Sequence, residues 1–305
     1  MSKITIITPT FNRQKQLHRL YLSLKNQSCK DFDWLIIDDG STDETSAYVK
    51  KIISENELDI RYIHRENGGK HRALNQGVKE VSSELIFIVD SDDVLPNQSI
   101  EIILKYHDKY KNYNKDIDKQ CKKPICGYSF LRCHEDGSVN TAYFPKDEFI
   151  DSYLNVRING RIAGDKAEVF YSEILKSYPF KEFEGENFMP EDALWMKMSE
   201  KYDMVHINEN VYICEYLEGG LTKTGRKMKI KSPLGMMYRS SVYIKNPSVN
   251  IKTRIKMIML LLIYGRFAGR KPSKKSLNSF LNILLYYLEY LPSYVIYSIW
   301  LKSLQ

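Results

Sequence analysis

Four short apolar runs punctuate the first 115 residues: KITIIT (3–8), DWLIID (33–38), IRYIH (60–64) and LIFIVD (85–90). Helix-like spacing at 13–27, 43–56, 70–82 and 97–113 separates or follows them. Strands and helices that alternate in this way imply right-handed crossovers and a largely parallel sheet covered on both faces. The expected class is therefore α/β, with a Rossmann-like, doubly wound and mostly parallel central sheet. Ligands of such sheets lie beyond the carboxyl ends of the strands. The segments that follow the four runs are TPTFNR, DDGSTD, RENGGKHR and DSDD, and all four are polar.

DSDD (90–93) poses the sharpest question, because three carboxylates within four residues at a strand end repel one another. A divalent metal would relieve that repulsion, and hard oxygen ligands suit Mg2+ or Mn2+, the former usually held by one or two carboxylates and substrate phosphates. A helix cap by Asp93 or Asn97 explains one of the carboxylates but not three. In DDGSTDET (38–45), Gly40 and Ser41 make a turn and Ser41, Thr42 or Asp43 can cap the next helix. That arrangement leaves Asp38 and Asp39 to face a ligand such as a base or ribose. In RENGGKHRALNQG (65–77), Lys70, His71 and Arg72 open a helix at its positive end, where cations are unfavourable unless an anion such as a diphosphate binds there. The motif is neither a P-loop nor a dinucleotide fingerprint. Glu191-Asp192 opens an amphipathic helix in MPEDALWMKMSEKY. Acids in a first turn are dipole partners by default, but in a cleft with a diphosphate one of them can act as general base.

Together TPTFNR, DDGSTD, NGGKHRALNQG, FIVDSDD and PEDALW resemble family 2 glycosyltransferases of the GT-A fold, in particular bacterial enzymes of capsular or surface polysaccharide synthesis. The resemblance covers about residues 3–200. It implies that Thr8, Pro9, Phe11 and Arg13 border the nucleotide, with Asp39 on the base and Asp38 supporting it. Asn67 and Lys70 would lie by the ribose and phosphates, and Ser91 among the donor contacts. Asp90 and Asp92 match the family's D-x-D motif, Asp92 as the direct metal ligand, and Asp192 matches its catalytic base, with Glu191 beside it. The resemblance further implies inversion at the anomeric carbon and a nucleotide-diphosphate sugar donor, with UDP-sugars first; the basic, apolar tail of the chain points to a lipid-linked glycan acceptor. The processive Q-x-x-R-W motif is absent. In its place GGLTKTGRKMK (219–229) reads as a Gly-hinged basic loop whose Lys223, Arg226 or Lys227 could close over the leaving group. The rival readings are a sugar nucleotidyltransferase, which TPTFNR lacks the Gly-rich loop for, and a non-catalytic nucleotide-sugar-binding relative.

The chain divides by charge. Of its 305 residues, the last 85 carry 16 Lys/Arg against one acid, Glu289, whereas residues 1–220 carry 29 basic and 37 acidic residues. The expected organisation is a catalytic domain over 1–220, with a nucleotide-sugar half to 115 and an acceptor half from 116, followed by a basic, apolar helical region over 221–305. RIKMIMLLLIYGRF (254–267) is too short to span a bilayer. FLNILLYYLEYLPSYVIYSIWL (280–301) is interrupted by Glu289 and Pro292, which favours an interfacial or re-entrant helix pair on an anionic membrane surface. Nucleic acid is not an expected partner, and no signal peptide is expected, since MSKITIITPTF runs straight into a strand pattern. Five cysteines without framework spacing suggest reduced thiols. Cys121, Cys126, Cys133 and His134 lack the paired spacing of a zinc site. The expected location is the cytoplasmic face of the membrane.

Overall fold

Seven consecutive residues of β1 (Ile4–Thr10) and seven of β2 (Phe32–Asp38) are buried. A strand can be buried at every position only where helices cover both faces of its sheet, and these two are interior strands of theirs. The computed structural model describes residues 2–118, 122–140, 142–162, 164–214, 221–273 and 276–303, with the backbone alone over 221–224. After β1 come α1 (Gln14–Lys25), β2, α2 (Thr45–Ser54), β3 (Ile60–His64), α3 (Lys70–Lys79), β4 (Leu85–Ile88), α4 (Ser99–Tyr110) and α5 (Tyr113–Asp116). The chain continues with β5 (Ile125–Cys133), β6 (Phe149–Asp151), a π-helical segment at Leu154–Asn159, β7 (Ala167–Tyr171), α6 (Ser172–Lys176), α7 (Asp192–Met198) and β8 (Asp203–Ile213). Four helices follow: α8 (Leu221–Lys231), α9 (Pro233–Lys245), α10 (Ile251–Phe267) and α11 (Phe280–Lys302).

The sheet has eight strands in the order β3-β2-β1-β4-β7-β5-β8-β6. Pairing is parallel from β3 through β4 and again between β5 and β8. β7 enters antiparallel to both β4 and β5, and β6 closes the far edge antiparallel to β8. The expected mostly parallel sheet is therefore present, with its second half mixed. Trp34, Ile4, Ile6, Phe87 and Tyr128 are fully buried in its core. Each aliphatic or aromatic side chain removed from water there contributes roughly 1.5–3 kcal/mol. Gly127 is forced by packing: its φ is +152°, and a Cβ would meet the Val169 carbonyl oxygen at 2.0 Å.

The chain forms two compact units. The first is Met1–Ser152, Ile162–Pro179 and Lys201–Tyr216 and contains all eight strands. The second is Tyr153–Arg161, Phe180–Glu200 and Leu217–Gln305, made of the π-helical segment, α7 and α8 to α11. Within it α10 packs on α11 through Tyr264 against Trp300 (ring centroids 6.0 Å apart) and Phe267 against Tyr297 (4.7 Å). The expected C-terminal helix pair is thus present. Among the described residues no helix is long and apolar enough to cross a membrane.

Two expectations need correction. The stretch expected as a basic loop is helical from Leu221 onward, because a single interior glycine, Gly225, is a modest cost that does not break a helix; Gly219 and Gly220 lie outside the described residues. Neither Asp93 nor Asn97 caps α4, whose N-cap position is Gln98 with no side-chain bond. Cys121 also lies outside the described residues.

Candidate functional site

β1 lies between β2 and β4, and the chain winds outward from β1 to β3 before returning to β4 on the other side. In such sheets the carboxyl ends of the strands at that reversal, here β1 and β4, are the general ligand position. Phe11 to Arg13 follow β1 there, and Val89 to Asp93 follow β4. Phe11 is 46% exposed, an unusual state for a Phe at the end of a buried strand.

The three carboxylates of DSDD do not share one environment. Asp90 forms an ion pair with Lys70 at the start of α3. Asp92 lies 4.0 Å from Arg13 Nη2, and both side chains remain about a third exposed. Asp93 is buried and accepts a hydrogen bond from the Tyr212 hydroxyl at 2.8 Å, and that hydroxyl oxygen accepts the Asp90 N–H at 2.9 Å. Arg132 Nη1 stands 3.9 Å from Asp93, with its guanidinium 4.1 Å from the Tyr212 ring centroid. The repulsion that pointed to a metal is therefore offset in part by the protein's own Lys70, Arg13, Tyr212 and Arg132. Burial alone would raise the Asp90 carboxyl, but the charges of Lys70 and Arg132 override it and hold the carboxyl below its ordinary range. Asp93 goes the other way: burial and then the neighbouring Asp90 charge push its carboxyl up to about 7. Ser91 is buried between them.

The loops after β1, β2 and β3 are clasped together by side chains. Asn12, at φ +52°, accepts the N–H groups of Thr42 and Asp43, and its own N–H donates to Ser41 Oγ at 2.8 Å. Asp43 Oδ1 accepts the Thr45 N–H at the start of α2, but the N-cap position is Glu44 with no side-chain bond, so none of Ser41, Thr42 and Asp43 is the cap expected there. Asp38 and Asp39 were expected to be left for a ligand, yet both are buried and engaged, because the backbone they border has N–H groups that need acceptors. Asp38 accepts from the Ser41 N–H and the Tyr62 hydroxyl. Asp39 accepts from Arg65 and from the N–H groups of Gly68 and Gly69, so it holds the Gly-Gly turn that launches α3. Asn67 donates to the Asp39 carbonyl at 2.8 Å. Gly40, at φ +84°, is where these loops come closest, since a Cβ there would stand 2.8 Å from the Asn67 nitrogen. Thr8 is fully buried with its hydroxyl accepting from Trp34 Nε1, and Pro9 is buried beside it.

Among the described residues no three His, Cys, Asp or Glu side chains are grouped to hold a metal. The donors at hand are nevertheless hard oxygens, with Asp92 partly exposed and Asp90 two residues away. One or two carboxylates completed by substrate phosphates suffice for Mg2+ or Mn2+, so the residues fit such an ion.

In the second unit, Asp192 begins α7 with Glu191 at the N-cap position. Arg239 of α9 grips the Asp192 carboxylate through Nε, 2.8 Å from both oxygens, and through Nη2, and the Tyr243 hydroxyl donates to Oδ2 at 2.8 Å. Burial would raise the Asp192 carboxyl, but Arg239 and then Tyr243 hold it below the usual carboxylate range. Asp192 is thus more than a helix-dipole partner. Arg132, Tyr212, Arg239 and Tyr243 had no signal in the sequence, because each meets its aspartate across 39 to 122 positions of chain, apart from any motif.

This sheet, with its basic and acidic strand-end loops, is the architecture of GT-A glycosyltransferases. It superimposes on Staphylococcus aureus TarS residues 1–349, solved in complex with UDP-GlcNAc, with a TM-score of 0.62 at 18% identity, covering 95% of this chain and 79% of that one. The mannosyltransferase PcManGT of Pyrobaculum calidifontis, solved with GDP-Man and Mn2+, matches with a TM-score of 0.56 at 15% identity over 98% of this chain and 87% of that one. Residues 5–116 match the model of Glycosyl transferase family 2. It is 25% identical over 221 residues to the GalNAc(5)-diNAcBac-PP-undecaprenol beta-1,3-glucosyltransferase of Campylobacter jejuni, a match over 70% of this chain. The chain spans 65% of the length of that relative and no more than a fifth of two further relatives.

Proposed function

We propose that this protein is an inverting, metal-dependent glycosyltransferase that moves a sugar from a nucleotide-diphosphate donor, a UDP-sugar, to a hydroxyl of a lipid-linked glycan in surface polysaccharide synthesis. The observation that carries the proposal is the paired arrangement at the β1 and β4 ends, Lys70 with Asp90 and Arg13 with Asp92. It presents two cations suited to a diphosphate and two carboxylates suited to a divalent ion on a sheet of the GT-A kind. The C. jejuni relative is named for an undecaprenol-linked acceptor, and TarS was solved with UDP-GlcNAc, which supports the acceptor and donor classes.

In this proposal Phe11, exposed at the end of β1, stacks on the base, and Asp39 holds the Gly-Gly turn in register for it. Lys70 and Arg13 turn from their carboxylates to the diphosphate. Asp92, with Asp90, would hold Mg2+ or Mn2+, which supplies charge neutralisation for the leaving diphosphate. Asp192 takes the acceptor proton, and Arg239 and Tyr243 fix the direction in which its carboxylate points. A carboxylate held below its ordinary range stays ionised at neutral pH and is a weaker base for it, so its part in the proposal rests on position rather than basicity. The acceptor's lipid places the reaction at an anionic membrane surface, on its cytoplasmic face. A thermal-shift screen of nucleotide diphosphates and their sugars with Mn2+ tests the donor assignment, because a ligand bound only by the folded state raises the melting point. UDP-sugars should shift it and Asp92→Ala should abolish the Mn2+ dependence. A shift by UDP that is the same with and without Mn2+ in both proteins refutes the metal role.

A further inference from the structure

One side of α11 faces the protein: Asn282 is 1%, Ser293 0% and Leu285 9% exposed, Asn282 donating to the Ile244 carbonyl and Ser293 accepting from Arg266 Nη1 at 2.9 Å, while Tyr297 and Trp300 pack on α10. Its other side turns large apolar side chains outward, with Phe280 83%, Leu291 74% and Tyr287 70% exposed. At 100° per residue, Phe280, Leu284, Tyr287, Leu288, Leu291 and Val295 fall on one continuous face, roughly half the circumference with their neighbours. Exposed apolar faces of that size mark a binding surface.

We infer that this face lies in the plane of an anionic bilayer, sunk into the boundary between headgroups and acyl chains. The inference rests on the membrane-surface reading of the proposed function and specifies the element and the face that meet the lipid. Three observations choose the bilayer over a second copy of the chain. The region is strongly basic, with 16 Lys/Arg to one acid after residue 220, so two such surfaces repel each other while anionic headgroups attract both. Exposed Arg270 and Lys271 precede α11 and exposed Lys302 ends it, placing cations at both ends of the apolar face at headgroup level. The face is also too wide for a helix–helix seam, which occupies a narrow stripe, and its flanking Tyr290 and Tyr294 are rings with a polar tip, suited to an interface. Since no described helix is long and apolar enough to cross a bilayer, α11 lies flat.

The test uses the full chain with vesicles of phosphatidylglycerol and phosphatidylethanolamine, compared with phosphatidylcholine alone. Flotation should be at least tenfold stronger with the anionic vesicles and weaken in high salt. Leu288→Glu/Leu291→Glu should lose at least tenfold in vesicle affinity while keeping the wild-type circular dichroism spectrum, since both leucines are exposed. A tryptophan at Leu291→Trp should be quenched by brominated lipid. If the double variant floats like wild type and the tryptophan is not quenched, α11 is not the docking face, although the membrane reading survives through other basic residues. If the wild-type chain ignores anionic vesicles, the membrane reading fails and the inference with it. If light scattering shows a dimer that the double variant dissociates while vesicle binding is unchanged, the face is a self-interface.

Discussion

Replacing Arg239 by Met removes the main partner of Asp192 and leaves a largely buried carboxylate with the Tyr243 hydroxyl alone. Breaking one side of a buried ion pair costs about 3–5 kcal/mol. Both side chains keep about a fifth of their exposure (18% and 23%), which screens the pair and places the expected cost near the lower end, about 3 kcal/mol at pH 7. At a urea dependence of about 3 kcal/mol per molar, the unfolding midpoint should fall by about 1 M. The pH dependence supplies a second check. The folded carboxyl of Asp192 lies below its ordinary value, so the pair's contribution is present above the unfolded carboxyl pKa and disappears as pH falls through the folded value. The gap between wild type and Arg239→Met should therefore persist from pH 7 to about pH 4 and narrow below it. Adding Asp192→Asn to Arg239→Met should recover part of the loss, because the orphaned charge is then gone. A midpoint for Arg239→Met within about 0.2 M of wild type, or a gap that widens in acid, would show that Arg239 does not hold Asp192.

Asp93→Asn keeps an acceptor for Tyr212 but removes a carboxyl raised from 3.8 to about 7. Because the folded value is the higher one, that carboxyl's contribution is complete below the unfolded pKa and is lost as pH rises through 7. Urea titrations should then show the variant gaining on wild type between pH 5 and pH 8, by up to about 3 kcal/mol, and parallel curves would refute it. Tyr212→Phe takes one donor from Asp93 and one acceptor from the Asp90 N–H, which should cost about 1–3 kcal/mol in the same assay. Gly127→Ala meets a backbone oxygen at 2.0 Å in a conformation that L-residues avoid, so little folded protein should be recovered, and a normally melting variant would contradict the packing of β5 on β7.

Much of the first half of the fold was legible in the sequence. The runs at 33–38, 60–64 and 85–90 became β2, β3 and β4 nearly to the residue, because a short apolar run bounded by polar turns has few other places to go in an α/β chain. β6 and β7 were not foreseen: both are short, and their pairing partners lie far along the chain, so no local pattern marks them. In the candidate site, the loops were correctly located at the strand ends, but the state of their side chains was not. Asp39 looked available because local spacing shows a turn but not the N–H groups of Gly68 and Gly69, which arrive from about 30 residues away, and Asp38 because nothing local shows the Tyr62 hydroxyl. Tyr212 reaches Asp90 across 122 positions, beyond any motif.

Under the proposed function, the pairs Lys70–Asp90 and Arg13–Asp92 would give ligand entry the character of an exchange of counterions. An anion that takes Lys70 frees Asp90, and a cation that takes Asp92 frees Arg13, so each arrival leaves behind a charge that the other would neutralise. Two ligands coupled in this way bind with a shared interaction energy that is the same whichever enters first. Neither alone is well served, because each would have to strand a protein charge without its partner. The ground state of such a site is a closed circuit of charges, and only a neutral combination of visitors can open it cheaply.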